Sequence, residues 1–294
     1  MEQIQNNRVI TDLYRENAQF PGIALDGSDV YLCWQRFVDR HDSLMASCRR
    51  GDELVWEREI SDGGEVLHPV ILAHGGAIWY AWSEYARENW RILARCYRDG
   101  QWGEVLTVAS GEALFFPRLF TWQGKLHVIW TEQHKGSAAA VLCPLTEAGP
   151  GAAETVSVVG EAYRAGAAEG GDGNLYVAYD GFDGKQYKLF ARARTAAGWS
   201  EEIVVSQGED WASTPWIAAK PDGAVVGWYD YGYMAVYSVR SADLTVRDGA
   251  LAAVNPQCLK EGVDWYLDLH VASNSSGLQA MAYTRSKYDV LVCT

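Results

Sequence analysis

Positive charge is scarce in this chain. Acidic residues outnumber basic ones 38 to 25, the formal net charge is −13, and no basic run exceeds Arg49–Arg50. A protein that tracks a phosphate backbone needs a basic face, so nucleic acid is not an expected partner. The acidity instead favours a soluble monomer. Long apolar runs are missing as well: no stretch of about 18 apolar residues exists to cross a membrane. The opening MEQIQNNRVI has no positive segment leading into an apolar core, so no secretory signal is read and a cytoplasmic protein is expected. The six cysteines form no CxxC and no Cys/His pair at ligand spacing, which argues against structural zinc. Cys48, Cys96, Cys143 and Cys293 fall at apolar strand positions and are expected as buried thiols. No segment holds a 3.6-residue period for three turns, so helices are not expected. The chain also lacks G-x-S-x-G, G-x-G-x-x-G, a phosphate-binding loop and HExxH. That removes the serine elbow, dinucleotide, nucleotide and zinc-protease readings.

What the chain does have is a period. Trp34, Trp82, Trp130, Tyr179, Trp228 and Tyr283 follow one another at intervals of 48, 48, 49, 49 and 55 residues. Each closes an apolar run that follows a glycine turn at Gly27, Gly76, Gly124, Gly173, Gly223 or Gly277. Pro21, Pro69, Pro117 and Pro215 stand early in the run before that turn, near a strand start, where a missing N–H is tolerated. A third strand follows each aromatic (LMASCRR, RILARCYR, AAVLCPL, KLFARAR, MAVYSVR, DVLVCT). A fourth reads ELVWEREI, GEVLTVA, ETVSVVG, EEIVVS and ALAAV.

Four short strands per repeat of about 48 residues is the blade of a β-propeller. The expected fold is all-β: one six-bladed β-propeller domain over residues 1–294, built from four-stranded antiparallel blades. The last unit stops after its third strand, and RVITDLY near the N-terminus is expected to supply the fourth and close the ring. TEAGPGAAET is read as a loop. SADLTVRDGALAAVNPQCLKEG is read as an irregular stretch that lengthens the final interval.

Such a fold would gather the loops after each second strand, and those entering each first strand, on one face. Two residues beyond the periodic aromatics stand Arg36, Glu84, Glu132, Gly181, Asp230 and Arg285, with Asp180 beside Gly181. Unlike charges at equivalent positions point to one asymmetric pocket rather than six identical ones. Arg36 and Arg285 suit a carboxylate or phosphate on a ligand. Crowded carboxylates raise one another's pKa, so Glu84 and Glu132, with Asp230 in reserve, are the candidate acid/base groups. Tyr85, Tyr229, Tyr231, Tyr233, Trp211 and Trp265 are candidate stacking platforms for a sugar, and His68 is a candidate ligand contact. A second ring, Glu16, Glu112, Glu161, Asp210 and Asp264, is oxygen-rich enough for a hard divalent cation. No cofactor is otherwise expected. Trp56, Trp102 and Trp199 are assigned to packing on the outer strands.

The proline, glycine turn, aromatic strand and arginine-bearing third strand, with RCYRDGQWGEVLTVAS and ARARTAAGWSEEIVVS, resemble the sialidase-like, BNR-repeat class of six-bladed propellers. The resemblance covers nearly the whole chain. It lacks an intact S-x-D-x-G-x-T-W box, a FRIP-type motif and a third matching arginine. It implies a propeller that acts on or binds glycans. The expected function is therefore a carbohydrate-active or related small-molecule enzyme, of glycoside hydrolase or lyase type, with carboxylate acid/base chemistry. The alternatives are a non-catalytic, lectin-like sugar-binding module and a divalent-metal lactonase-like hydrolase.

Overall fold

The computed structural model describes residues 17–61, 63–232, 237–263, 269–273, 279–286 and 289–293, and side chains only through 262 and at His270. Among them every regular element is a strand, and no helix is long and apolar enough to cross a membrane. The strands form six sheets in which consecutive strands pair antiparallel. They fall into two compact units, Met1–Ser110 and Gly111–Thr294.

The first unit holds two sheets. One comprises Asn17–Asp26, Asp29–Val38, His41–Arg50 and Glu53–Glu59; the other comprises Glu65–His74, Ala77–Ala86, Asn89–Arg98 and Gln101–Trp102, with Leu106–Gly111 also on its third strand. The first strands of the two sheets lie side by side. Between the sheets pack Tyr31, Leu44, Tyr80, Trp82 and Leu93. Trp56 and Trp102 meet at 5.5 Å between ring centroids and form, with Tyr97, the outer packing read from the sequence.

The second unit holds four sheets, whose second strands are Lys125–His134, Leu175–Phe182, Gly223–Tyr231 and Gln279–Ser286. Their first strands, Ala113–Trp122, Ala162–Glu169, Trp211–Lys220 and Leu269–Ser273, stand next to one another in chain order, as the inner strands of a propeller do. The periodic aromatics are the packing units: Trp82, Trp130, Tyr179 and Trp228 are all 2% exposed or less. Each such ring contributes roughly 3 kcal/mol or more of transfer free energy. Cys33, Cys48, Cys96 and Cys143 are buried free thiols. The side chains of Tyr283 and Cys293, and the expected pairing of RVITDLY, lie outside the described residues.

The hairpin glycines have the required backbone: φ is 58° at Gly27, 72° at Gly76, 69° at Gly124 and 80° at Gly173. At Gly223 a Cβ would sit 2.1 Å from the Leu244 carbonyl oxygen, so only glycine fits there. Two sequence readings need correction. The stretch expected to be irregular is an extended hairpin, Tyr237–Arg247 with Ala250–Val263, turning at Asp248 and Gly249. Three register shifts break its alternation and hide the strand period. The fourth strands of the third and fourth sheets are reduced to two-residue pairings, Glu154–Thr155 and Ile203–Val204, where longer runs were read.

Candidate functional site

Alternate residues on a strand share a face. Trp82, Trp130 and Trp228 therefore each sit beside the acid two positions on, and the indole N–H donates to that carboxylate. The distances are 3.2 Å for Trp82 to Glu84, 3.4 Å for Trp130 to Glu132 and 2.6 Å for Trp228 to Asp230. An arginine of the third strand completes two of these groups. Arg91, directly opposite Glu84, forms an ion pair with it. Arg240, opposite Trp228, reaches Asp230 at 2.5 Å. Glu84 and Asp230 are 0% and 2% exposed, and each is tied to its tryptophan and an arginine. Burial pushes the Asp230 carboxyl up to about 6, against the opposing pull of Trp228 and Arg240.

Glu132 differs. Ala139 stands opposite it where the second sheet has Arg91. The carboxylate is half-buried and faces a cleft of about 330 Å³ shared with His134, Ser137, Val141, Ala153 and Thr155.

A second repeated device was not read from the sequence. The first strands of the first five sheets each carry a bulge, and the pivot residue has a left-handed backbone although it is not glycine: Phe20 (φ 52°), His68 (53°), Phe116 (54°), Arg164 (40°) and Thr214 (55°). Four of the five directly precede the repeat prolines, which was the available signal. Such residues are uncommon in this region and re-aim the chain at a bulge. His68 accordingly lies edge-on to Phe20, ring centroids 4.9 Å apart, bulge against bulge in the first unit.

In the second unit the Arg164 backbone N–H donates to Thr131 Oγ1 of the preceding sheet at 3.1 Å. Thr214 stands in the same relation to Asp180, whose carboxylate accepts its backbone N–H. Thr131 and Asp180 both directly follow the periodic aromatic of their strands, so this position latches one sheet to the next. Asp180 is fully buried and takes both Nε (3.1 Å) and Nη2 (2.6 Å) of Arg164. Burial raises its pKa, and the guanidinium works in the opposite direction. On a neighbouring first strand the Arg118 guanidinium lies 3.6 Å from the centre of the Trp216 ring. Burial lowers its pKa to about 9, while the Asp180 charge acts upward.

The aromatic platforms come together in the second unit. Ring centroids run from Tyr163 to Tyr187 (6.1 Å), on to Trp211 (5.5 Å), Tyr231 (5.3 Å) and Tyr237 (5.4 Å), with Phe182 5.4 Å from Tyr187. Register explains the line. Trp211, Tyr231 and Tyr237 are cross-strand neighbours at one end of the fifth sheet, and Phe182 and Tyr187 occupy the matching end of the fourth. Trp211 is 40% exposed and the four tyrosines are half-buried, so the rings form a ledge open to solvent. The Tyr163 hydroxyl donates to Glu161 at 3.3 Å. Tyr163, Tyr187 and Tyr237 were missed by the sequence reading. Tyr229, expected as a platform, is fully buried two residues further into the strand and belongs to the core.

The first unit has a cleft of about 650 Å³. Tyr85 and Glu84 line it together with Phe37, Arg40, His41 and Arg87. Tyr85 rests on Trp90 at 5.3 Å. At Gly64 a Cβ would lie 2.5 Å from Glu84 Cγ, so glycine there admits the carboxylate. Arg36 pairs with Glu59 of its own sheet at 3.5 Å. Of the oxygen-rich ring, Glu112 faces His134 at 3.2 Å and Asp210 packs on Gly232. Among the described residues no three His, Cys, Asp or Glu side chains converge as a metal-ligand set. Glu16, Tyr233, Asp264, Trp265 and the side chain of Arg285 lie outside the described residues.

No family model and no curated protein matches the sequence. Solved structures do match. NanB, solved with Optactamide, aligns at a TM-score of 0.63 and 7% identity over 95% of this chain and 67% of its own. A subtype N10 neuraminidase-like protein of A/little yellow-shouldered bat/Guatemala/060/2010 aligns at 0.58 and 8% identity over 92% of each chain. A puromycin-hydrolyzing peptidase from Mycobacterium tuberculosis aligns at 0.55 and 16% identity over 91% of this chain, which spans only 42% of that protein. At such identities the likeness is one of architecture, and a peptidase among the neighbours shows that the fold does not dictate the reaction. The chain has an all-β propeller fold, the architecture it shares with these structures.

Proposed function

We propose that this propeller recognises a carbohydrate, held by stacking along the aromatic ledge of the second unit. The observation that carries the reading is the unbroken line Tyr163–Tyr187–Trp211–Tyr231–Tyr237 with solvent on one side. A pyranose ring offers apolar C–H faces that match aromatic faces, while neighbouring polar groups fix its orientation. Glu161, beside the Tyr163 hydroxyl, and Asp210, next in sequence to Trp211, are placed to accept hydrogen bonds from sugar hydroxyls. The test is a binding screen of neutral and acidic oligosaccharides against the wild type and Trp211→Ala. Retention of one oligosaccharide by the wild type and its loss in the variant supports the reading. Equal binding by both, or none by either, ends it.

Glu132 favours a second reading, in which the bound sugar is also processed by carboxylate acid/base chemistry. Among the described residues it is the one acid of the three that no arginine pairs with, and it borders a cleft. Turnover of 4-nitrophenyl glycosides that is abolished by Glu132→Gln supports catalysis. Turnover unchanged by that substitution removes Glu132 from it.

A further inference from the structure

We propose that the first unit carries a separate site for a small organic anion, a ring of sugar or aryl size bearing a carboxylate, sulfate or phosphate, gripped by Arg40 and Arg87. Both arginines line the same cleft of about 650 Å³, a volume suited to a small molecule. Of the other charged residues around that cleft, Glu65 is exposed and outside the ion pairs, and the rest are committed. Arg91 is paired with Glu84, His41 approaches Glu59 at 3.6 Å, and Asp42 accepts from Gln35 at 2.7 Å. Arg40 and Arg87 have no such partner among the described residues. With Arg40, Arg87 and Arg91 set against Asp42, Glu65 and Glu84 the lining is balanced, a locally neutral concavity with two uncommitted arginines in a chain of net charge −13.

The backbone holds them there. Each lies in a tight two-residue turn between a second and a third strand, with both central residues left-handed: Asp39 and Arg40 at φ 52° and 65°, Arg87 and Glu88 at 51° and 65°. Turns of this kind favour glycine or asparagine, and the equivalent turn of the third sheet does place Gly136 second. Here two adjacent turns both place arginine, a residue without local advantage in that conformation. Local strain of this sort concentrates where a ligand is gripped. The planar fork of arginine matches the oxygens of a carboxylate, sulfate or phosphate. Phe37, 44% exposed, and the half-buried Tyr85 supply apolar walls for the ring that carries the anion.

The test uses the full chain and calorimetric titration with D-glucuronate, glucose 6-phosphate and benzoate, with glucose as the neutral control and inorganic phosphate as the bare anion. Wild type is expected to bind at least one ring-bearing anion more than tenfold better than glucose and better than phosphate alone. Arg40→Gly and Arg87→Gly relieve the turns, so each is expected to raise the unfolding temperature while weakening that anion at least fivefold. Phe37→Ala is expected to weaken the ring-bearing anion and leave phosphate unchanged. The proposal is overturned if wild type binds none of the anions better than glucose. It is equally overturned if both arginine variants bind as the wild type does, or if Trp211→Ala in the other unit abolishes the same binding.

Discussion

Replacing Glu84 separates a strut from a catalyst. Its carboxylate accepts from the buried Trp82 indole at 3.2 Å and is paired with Arg91 on the facing strand. Glu84→Ala leaves the indole N–H without an acceptor in a site of 0% exposure, a loss of about 1–3 kcal/mol. Truncating a fully buried ion pair costs roughly 3–5 kcal/mol, but the Arg91 side chain is 33% exposed and water recovers much of that. Together the loss is about 2–4 kcal/mol, equivalent to a fall of roughly 5 °C or more in unfolding temperature for a protein of this size. Glu84→Gln keeps an acceptor for the indole and gives up only the charge, so about half that loss is expected. Urea unfolding followed by tryptophan fluorescence measures both variants. A double-mutant cycle with Arg91→Ala is expected to show coupling of about 1 kcal/mol or more. A Glu84→Ala protein as stable as the wild type refutes the strut. If it also loses turnover of a glycoside, Glu84 is a catalytic group after all.

Gly64→Ala drives a methyl to 2.5 Å from Glu84 Cγ and 2.8 Å from the Tyr85 carbonyl oxygen, so destabilisation of about 1–3 kcal/mol is expected in the same unfolding assay. The buried Asp230 carboxyl titrates near 6 when folded and near 3.8 when unfolded, so the native state binds the extra proton between those values. Stability from this group is therefore present below pH about 4 and lost as pH rises through about 6, with a total on the order of 2–3 kcal/mol. Unfolding curves across that window are expected to show this slope in the wild type and a shallower one in Asp230→Asn; identical slopes contradict it. Trp211→Ala, at a ring 40% exposed, is expected to change stability by less than about 1 kcal/mol while weakening an oligosaccharide tenfold or more.

The sheets were legible because each blade must bury one large aromatic at the same place, which stamps a 48- to 49-residue period on Trp34 through Trp228. The hairpin glycines were legible for a similar reason, since φ leaves little choice there. The role of the acids beyond those aromatics was harder to read. Spacing alone makes Glu84, Glu132 and Asp230 equivalent, and only the residue across the sheet distinguishes them: Arg91 for one, Ala139 for another. That pairing depends on hairpin register, which sequence separation does not specify without the turn. The bulge residues were invisible because Phe, His, Arg and Thr carry no intrinsic preference for a left-handed backbone. The X-Pro spacing marked their place without revealing their conformation. The ledge was half-read: Trp211 and Tyr231 were found at loop entries, while Tyr187 and Tyr237 begin third strands, where an aromatic gives no hint of which end faces solvent.

The most direct measurement is a crystal structure of the protein soaked with the oligosaccharide that binds best in the screen. Sugar rings lying flat on Trp211 and its tyrosine neighbours, at contact distances of about 4 Å, are the expected result. Density for that oligosaccharide elsewhere, with the ledge bare, contradicts the account.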